Sequence, residues 1–409
     1  MRSTRDAPEP AACLVPGLHP WQGSSVSGLD FLVEKIRELR TSGLYREIDD
    51  GERRAQVEVC ARRLDIEMID ASSNDYLSYA SEVSRETSPD RPPLGSGASR
   101  LIHGTRREHR ELEAELATWV KQPKALLFAS GYAANVGTIS ALAQPGDVIV
   151  SDALNHASIV DGCRLSGAQI EVTAHCRADA MESVLATHAG KRRCWVVSET
   201  YFSMDGDSPD LRRIRKLCDA YDTAMIVDEA HALGVFGPQG SGVCRACGVI
   251  PDVVVGTFGK SVAAQGAFVA SNTLVRDWIW NRARSFVYST AISPMLASLV
   301  MKNVLRLRAD ELRRQDLVHA ANRFRANLAE RGIRVVPESH GPIIPILLTS
   351  PQRAMQAAAT LGDLGVLVQA IRPPTVPENS SRVRVTLHAG LTQAQLSHLT
   401  EAVIQACQE

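Results

Sequence analysis

Short apolar runs alternate with amphipathic stretches through the middle of the chain. The apolar runs lie at 124–130, 147–151, 169–173, 194–199, 224–229 and 252–257. Most are separated by stretches with helical spacing of apolar positions, at 108–120, 132–142, 157–165 and 211–220. Strands that are apolar on both faces and joined by helices form a mostly parallel sheet with helices on both sides. The pattern therefore predicts an α/β fold with a large domain over residues 80–295.

The alternation of apolar runs and helical stretches ends after residue 295. A long helical stretch at 296–331 precedes strand-like segments at 333–336, 342–348, 366–371 and 382–387. Two further helices are predicted at 352–361 and 392–405. Strands and helices without strict alternation are typical of an α+β unit, so we predict a smaller C-terminal domain over residues 296–409.

The N-terminal part divides into two segments. Residues 1–28 are rich in Pro, Ser and Gly, which predicts a flexible tail. From Leu29, apolar residues recur with helical spacing and short strand-like runs follow, so we predict a helix and short strands over residues 29–79.

Composition excludes several classes of protein. Of 409 residues, 44% are hydrophobic and 22% charged, which is ordinary for a globular chain. The 45 basic and 46 acidic residues give a net charge of −1, so no nucleic-acid partner is expected. Because no apolar stretch approaches the roughly 20 residues of a membrane span, no membrane association is expected either.

Cysteine usage indicates the compartment and argues against a metal. Nine cysteines spread thinly through the chain are typical of reduced thiols in a cytoplasmic enzyme. Cys244 and Cys247 form one C-x-x-C pair, but no second cluster supplies the other two ligands that structural zinc needs. We therefore expect no metal site.

Candidate chemical residues follow the apolar runs, because the carboxyl ends of parallel strands meet at one edge of a sheet. Asp228 closes the fifth run, His231 follows it, and Lys260 comes after the sixth. Gly131 opens a helix after the first run, where backbone N–H groups and the helix dipole favour a phosphate. Taken singly, each has a plainer explanation: an acid after a strand often caps a turn, and most lysines are solvated.

The combination favours pyridoxal 5'-phosphate. Its aldehyde forms a Schiff base with a lysine, its ring nitrogen needs a carboxylate, and its phosphate needs hydrogen-bond donors. A dinucleotide site would require G-x-G-x-x-G after an early strand, and a P-loop would require G-x-x-x-x-G-K-[ST]; the sequence contains neither.

A series of motifs adds to this prediction. In order, the chain carries SSNDYL, GSGASRL, H-x-x-L-E from His109, SGYAAN, NHAS, FSMDGD, VDEAH, TFGK and STAISP. The series, over about residues 30–405, resembles the α-oxoamine synthases, which are fold-type I pyridoxal phosphate enzymes that condense an amino acid with an acyl thioester. The segment AIRPPTVP at 370–377 resembles the corresponding motif of the family branch that joins L-alanine to a pimeloyl thioester in biotin biosynthesis.

The resemblance implies roles around the cofactor. Lys260 would form the Schiff base, Asp228 would pair with the ring nitrogen, and His231 would contact the ring oxygen. His156 in NHAS would stack on the ring and help to seat the substrate. Further cofactor contacts are implied for Gly131, Tyr132, Ser203 and Thr257, and for Thr290 across the interface of a homodimer with shared active sites.

The resemblance also implies substrate contacts. Arg384 would bind the amino-acid carboxylate, Thr375 would line the acyl pocket, and Asn74 would lie close to the substrate. Arg46 would contact the thioester, whose carrier is coenzyme A or an acyl carrier protein.

Two departures from the family pattern and two rival functions stay open. Ala263 stands where relatives usually have glycine, and Leu233 where they have a smaller residue, so the acyl pocket is expected to differ. One rival is an α-oxoamine synthase that uses glycine or another acyl thioester in a secondary pathway. The other is an aminotransferase or aldolase of the same fold, which would release no thiol.

Overall fold

The computed structural model describes residues 29–42, 45, 59, 92–373 and 375–408. The first described element is helix α1 (Phe31–Thr41), close to the predicted start at Leu29. Asn74 and Arg46 lie outside the described residues, as do the predicted tail and the short strands expected before residue 79.

Seven strands form the larger sheet, in the spatial order β1-β7-β6-β5-β4-β2-β3. They are β1 (Lys124–Phe128), β2 (Val148–Asp152), β3 (Gln169–Thr173), β4 (Cys194–Glu199), β5 (Ala224–Asp228), β6 (Val253–Thr257) and β7 (Ala267–Ser271). Neighbours from β6 through β3 run parallel, whereas β7 is antiparallel to both β1 and β6. The predicted fold class, α/β with a mostly parallel sheet, is confirmed.

Helices cover both faces of this sheet. They are α2 (Arg107–Val120), α3 (Gly131–Leu142), α4 (Ala157–Ser166), α5 (Ala178–His188), α6 (Leu211–Ala220), α7 (Val243–Cys247), α8 (Thr273–Arg282) and α9 (Arg284–Val287). Within β4, Val196 belongs to the core on one face, and Trp195 and Val197 to the core on the other. Two apolar faces explain why the strands read as continuous apolar runs. None of the described helices has the length and hydropathy of a membrane span.

A second, three-stranded sheet follows in the chain. Its antiparallel order is β8-β10-β9, with β8 (Ile343–Thr349), β9 (Gln369–Ile371) and β10 (Ser381–Thr386). The helices of this part are α10 (Pro294–Ala309), α11 (Glu311–Glu330), α12 (Pro351–Asp363) and α13 (Gln393–Cys407). Phe324 on α11, Leu361 on α12 and Val403 on α13 share one core with β8 and β10.

Three details differ from the sequence pattern. The stretch predicted as one long helix is two helices, because Asp310 leaves helical geometry at ψ 64° and caps α11 by accepting from the Arg313 N–H. The segment at 333–336 forms only a single bridge, between Val335 and Ile346. Strand β7 is not predicted by the pattern. The domain boundary at 295/296 stays a prediction, and α10 contributes Ala297, Val300 and Val304 to the core of the larger sheet.

Gly256, the fourth of the five residues of β6, tests how tightly this core is packed. A methyl group there would lie 2.4 Å from a ring carbon of Phe268 and 2.5 Å from a methyl of Leu233. We expect Gly256→Ala to lower the free energy of unfolding by about 1–3 kcal/mol, because overpacking forces neighbours out of their rotamers. Chemical denaturation of the variant and the parent protein measures this change in the free energy of unfolding.

Gly362 provides the control. It lies in α12 with open space around its Cα, so Gly362→Ala should stabilise the protein by about 0.5–1 kcal/mol through helix propensity. Equal stability of the Gly256→Ala and parent proteins would contradict the packing described here.

Candidate active site

Three buried carboxylates lie at the carboxyl edge of the larger sheet. Asp152, Glu199 and Asp228 end the neighbouring strands β2, β4 and β5, and are 2%, 4% and 8% exposed. Glu199 and Asp228 are direct partners in the strand register. Burying a carboxylate is costly unless donors, cations or a proton compensate it. Each of the three carboxylates is compensated in a different way.

Asp228 is compensated by two hydrogen-bond donors. Its Oδ2 accepts from the side-chain amide of Asn135 at 2.6 Å, and its Oδ1 accepts from the Ala230 N–H at 2.7 Å. The same amide nitrogen of Asn135 donates to Oγ of Ser158 at 2.9 Å. Asn135 and Ser158 were not singled out in the sequence, although both lie within quoted motifs, SGYAAN and NHAS.

Asp152 is compensated by a cation. His175 places Nδ1 2.8 Å from Oδ1 of Asp152 and Nε2 2.9 Å from Oδ2 of Asp207. Burial alone would lower the pKa of His175, but the hydrogen bonds to the two aspartates raise it to about 12. His175 is therefore an imidazolium that joins β2 to the turn after β4.

Glu199 is compensated by a proton. Burial, with a contribution from the charge of Asp228, raises the pKa of Glu199 to about 8. Its Oε1 also accepts from the backbone N–H of His156 at 2.7 Å. The sequence offered a signal for Glu199, since it closes the apolar run CWVVSE as Asp228 closes the next one.

His156 is held in one orientation at the start of α4. Its Nδ1 accepts from the Ser158 N–H at 3.1 Å and lies 2.8 Å from the Ser158 hydroxyl. Because Nδ1 is the acceptor, Nε2 is the ring nitrogen that is left to donate. The residue is exposed at the site, and a chain of hydrogen bonds runs from it through Ser158 and Asn135 to Asp228.

Lys260, His231 and Arg384 line one cavity of about 820 Å³, together with segments that follow strands of the larger sheet and residues of the smaller sheet. Burial lowers the pKa of Lys260, while the charge of Asp228, and that of Glu199 once it ionises, oppose that effect. Burial lowers the pKa of His231 to about 2, with smaller contributions from Lys260 and Arg384, so this ring is neutral.

Arg384 differs from most arginines in the fold. Burial lowers the pKa of its guanidinium, and its buried Nε has no hydrogen-bond partner among the described residues. A buried guanidinium normally pairs with a carboxylate. Arg384 is thus a cation at the cavity wall with donor capacity for an anion.

Two implied cofactor contacts lie beside each other. Thr257 ends β6 and donates its hydroxyl to the Gly266 carbonyl at 3.1 Å. A methyl group on Gly131, at the start of α3, would lie 3.6 Å from Cβ of Thr257. Ser203 is half-buried in the turn after β4.

Three other residues with implied roles are not brought together with the residues described above. The hydroxyl of Tyr132 donates to Asp161, and the residue is 49% exposed. Thr290 is exposed and forms an isolated bridge with Ser99. Thr375 is exposed in the segment before β10.

Several motif residues serve the fold rather than the chemistry. Arg100 of GSGASRL makes a bidentate ion pair with Glu113 of H-x-x-L-E, at 2.7 and 3.0 Å. Nε2 of His109, from the same motif, lies 2.8 Å from the carbonyl oxygen of Ile292 in STAISP. These contacts interlock three motifs that are far apart in the sequence.

The two departures from the family pattern lie in and near the cavity wall. Ala263 adopts φ 54°, in the left-handed region that favours glycine, and lines the cavity. Leu233 is 2% exposed, and its methyl occupies the space beside Gly256. Its extra bulk is therefore taken up by the core.

The chain matches the family described as "Aminotransferase class I and II" over residues 66–403. It is 39% identical over 386 residues to the 8-amino-7-oxononanoate synthase of Marinobacter nauticus, covering 92% of this chain and 96% of that protein. It is 40% identical over 382 residues to the 8-amino-7-oxononanoate synthase of Anaeromyxobacter dehalogenans, covering 92% and 95%.

Solved structures share the fold. The serine palmitoyltransferase of Sphingomonas wittichii aligns with a TM-score of 0.74 and 29% identity, over 83% of this chain and 84% of that one. A structure of SPT with PLP aligns with the same TM-score and identity, over 81% and 83%. The 8-amino-7-oxononanoate synthase of Francisella tularensis aligns with a TM-score of 0.67 and 25% identity, over 82% and 93%.

The residues at the sheet edge fit pyridoxal 5'-phosphate: a lysine of lowered pKa, a carboxylate with two donors, and an oriented imidazole. Fold and site together define a fold-type I pyridoxal phosphate enzyme. The chain belongs to the aminotransferase class I and II family and, within it, to the acyl-transferring α-oxoamine synthases.

The proton on Glu199 gives a test of the site's electrostatics. A carboxyl group whose pKa is raised in the folded state binds more protons folded than unfolded, between its ordinary value of 4.5 and about 8. Stability from this group is therefore complete below pH 4.5 and is lost as the pH rises through 8. Glu199→Gln should remove that dependence and be more stable than the parent at pH 8, by about 1 kcal/mol or more.

Thermal unfolding of the cofactor-free protein from pH 5 to pH 8.5 measures this difference. Glu182→Gln is the control, because Glu182 is an exposed carboxyl on α5, and its pH profile should follow the parent. Parallel profiles for Glu199→Gln and the parent would show that Glu199 is ionised in the folded protein.

Proposed function

We propose that this enzyme catalyses the decarboxylative condensation of L-alanine with a pimeloyl thioester in biotin biosynthesis. The products are 8-amino-7-oxononanoate, carbon dioxide and the free thiol of coenzyme A or of a carrier protein. Two lines of support are the curated relatives named 8-amino-7-oxononanoate synthase at 39–40% identity and the AIRPPTVP segment at 370–377.

The observation that carries the proposal is the convergence of Lys260 and Arg384 on one cavity. In the proposed reaction Arg384 binds the carboxylate of the amino acid as a bidentate partner, which uses the Nε that no described residue pairs with. Nζ of Lys260 takes the proton from Cα, and burial favours this because it brings the lysine pKa towards neutrality.

The cofactor, when bound, supplies an electron sink for the carbanion that remains at Cα. Asp228 would pair with the ring nitrogen, and Asn135 and the Ala230 N–H keep its carboxylate in place. His156 would stack on the ring, and Ser158 fixes its orientation. His231 is uncharged across the physiological range, so it offers the ring oxygen a neutral partner.

A homodimer completes the proposal. The exposed position of Thr290, on a segment bridged to Ser99, suits a residue that contacts the cofactor phosphate of the neighbouring subunit. Gly131, Tyr132, Ser203 and Thr257 remain the proposed contacts within the subunit, and Thr375 the proposed acyl contact. All seven described cysteines are free thiols, as expected for an enzyme working in the cytoplasm.

One alternative has its own support. The serine palmitoyltransferase structures align with a TM-score of 0.74, against 0.67 for the 8-amino-7-oxononanoate synthase structure. This favours, as the second candidate, an α-oxoamine synthase that takes another amino acid or a longer acyl thioester. Ala263, which lines the cavity, bears on the same choice.

A substrate panel separates the candidates. We expect purified holoenzyme to release thiol and carbon dioxide in equal amounts with L-alanine and pimeloyl-CoA or its carrier-protein thioester. Glycine and L-serine, and acetyl or palmitoyl thioesters, should give much lower kcat/KM. The highest kcat/KM with L-serine and a palmitoyl thioester would contradict the proposal in favour of the alternative.

Lys260→Ala tests the catalytic assignment in the same assay. Loss of a positioned general base should lower kcat by at least about a hundredfold. Lys302→Ala, on the exposed side of α10, is the matched control and should retain parental turnover. Parental turnover in Lys260→Ala would refute the role of this lysine.

A further inference from the structure

The turn after β4 connects the two sheets. Residues Ser203–Asp207, here called the acidic turn, are closed by two backbone hydrogen bonds, from Phe202 N–H to the Asp207 carbonyl and from Gly206 N–H to the Phe202 carbonyl, both 2.9 Å long. On the side of the larger sheet, Oδ2 of Asp207 lies 2.9 Å from Nε2 of His175. The acidic turn is therefore fixed to the larger sheet independently of Asp205.

Asp205 faces the other sheet, where it meets Arg382. Nη1 of Arg382 donates to Oδ1 of Asp205 at 2.6 Å and to the Met204 carbonyl at 3.1 Å. Its Nε donates to the Ser380 carbonyl at 2.9 Å. The side chains are 4% and 14% exposed for Arg382 and Asp205. An ion pair this buried loses a partner only at a large cost, so it fixes the two segments to each other.

Arg382 and Arg384 are two residues apart on β10, so their side chains leave the same face of the strand. β10 is the central strand of its sheet, with Arg382 opposite Leu347 and Ile371, and Arg384 opposite Pro345 and Gln369. The register shifts between Ser381 and Arg382, but from Arg382 to Arg384 the strand is paired regularly on both sides. An anchor at residue 382 therefore sets where residue 384 lies.

The two arginines have opposite environments. Arg382 is satisfied by Asp205 and two carbonyls. Arg384 lines the cavity, and its Nε has no hydrogen-bond partner in the part of the chain that the structure describes. One guanidinium thus completes a contact between the sheets, while the other is presented to the substrate side of the same strand.

We propose that Asp205 and Arg382 are positioning residues for substrate recognition: their ion pair holds β10 against the acidic turn and thereby places Arg384 at the distance at which it binds the amino-acid carboxylate. This inference rests on the proposed function, which assigns that carboxylate to Arg384. It adds that amino-acid affinity depends on a pair of residues that do not touch the amino acid.

A similar ion pair elsewhere provides the matched control. Arg215 and Asp252 pair at 2.8 Å with side chains 16% and 14% exposed. They join α6 to the segment before β6, and neither residue lines the cavity. Loss of that pair removes a comparable contact without moving β10.

The experiment compares holoenzymes carrying Asp205→Asn, Arg382→Gln, both substitutions together, and Asp252→Asn. The amino acid that wild type binds most tightly is titrated at equilibrium by the change in cofactor absorbance, and steady-state constants are measured alongside. Asp205→Asn should raise the Kd and KM for the amino acid about tenfold, the factor that corresponds to about 1.4 kcal/mol. At saturating amino acid its kcat should stay close to that of wild type, as should the KM for the thioester.

Three further results are expected if the pair acts through Arg384. Arg382→Gln should give a similar loss of affinity, and the double variant should be no worse than either single one, because both remove the same contact. Arg382→Lys, which keeps the charge, should recover part of the affinity. Asp252→Asn should lower the unfolding midpoint but leave amino-acid affinity unchanged.

Unchanged amino-acid affinity in Asp205→Asn, or an equal loss in Asp252→Asn, would overturn the inference. If Asp205→Asn does not fold, Arg382→Gln decides by the same titration, since wild-type affinity there would overturn the inference. Failure of the proposed function is recognised separately, because wild type itself would then bind no amino acid of the panel or would release no thiol.

Discussion

The structure depends on the burial of three carboxylates at one edge of a parallel sheet. Parallel strands bring their carboxyl ends to one edge of the sheet, so Asp152, Glu199 and Asp228 lie close together there. Like charges that are buried side by side repel, and the fold answers with a cation for one, a proton for another and neutral donors for the third. Two of the carboxylates also hold a neighbouring segment, because Glu199 accepts from the His156 N–H and Asp228 accepts from the Ala230 N–H.

The candidate site lies between the two sheets. The larger sheet supplies Asp228 and Lys260 from its strand ends, whereas Arg384 comes from the central strand of the smaller sheet. A site divided in this way is sensitive to how the sheets are joined. The described contacts between them are specific rather than merely apolar: Tyr201 donates its hydroxyl to the His340 carbonyl at 2.6 Å and accepts from the Ile343 N–H at 3.1 Å.

Much of the larger sheet was predictable because its strands are apolar on both faces and its helices have clear periodicity. Helices α2, α3, α4 and α6 begin within a residue of their predicted starts. Strand β7 escaped prediction because no helix separates it from β6, and the bridge at Val335 shows that an apolar run becomes a strand only when a partner pairs with it.

The site was predictable only in part, for a related reason. Lys260 and Asp228 follow apolar runs directly, so a local pattern reveals them. Asn135, Ser158, His175 and the Asp205–Arg382 pair depend on contacts between segments far apart in the chain, which no local pattern encodes. Membership of a motif also does not distinguish structural residues from site residues, since Arg100 and His109 serve the fold while Lys260 lines the cavity.

Borohydride reduction of the holoenzyme, followed by peptide mapping, tests the central claim most directly, because it fixes the cofactor to the amine that carries it. Peptide mapping identifies which of the seven lysines of the chain carries the cofactor. The account predicts one phosphopyridoxyl group per chain, on the peptide that contains Lys260. A label on any other lysine, or no label after incubation with pyridoxal 5'-phosphate, would contradict it.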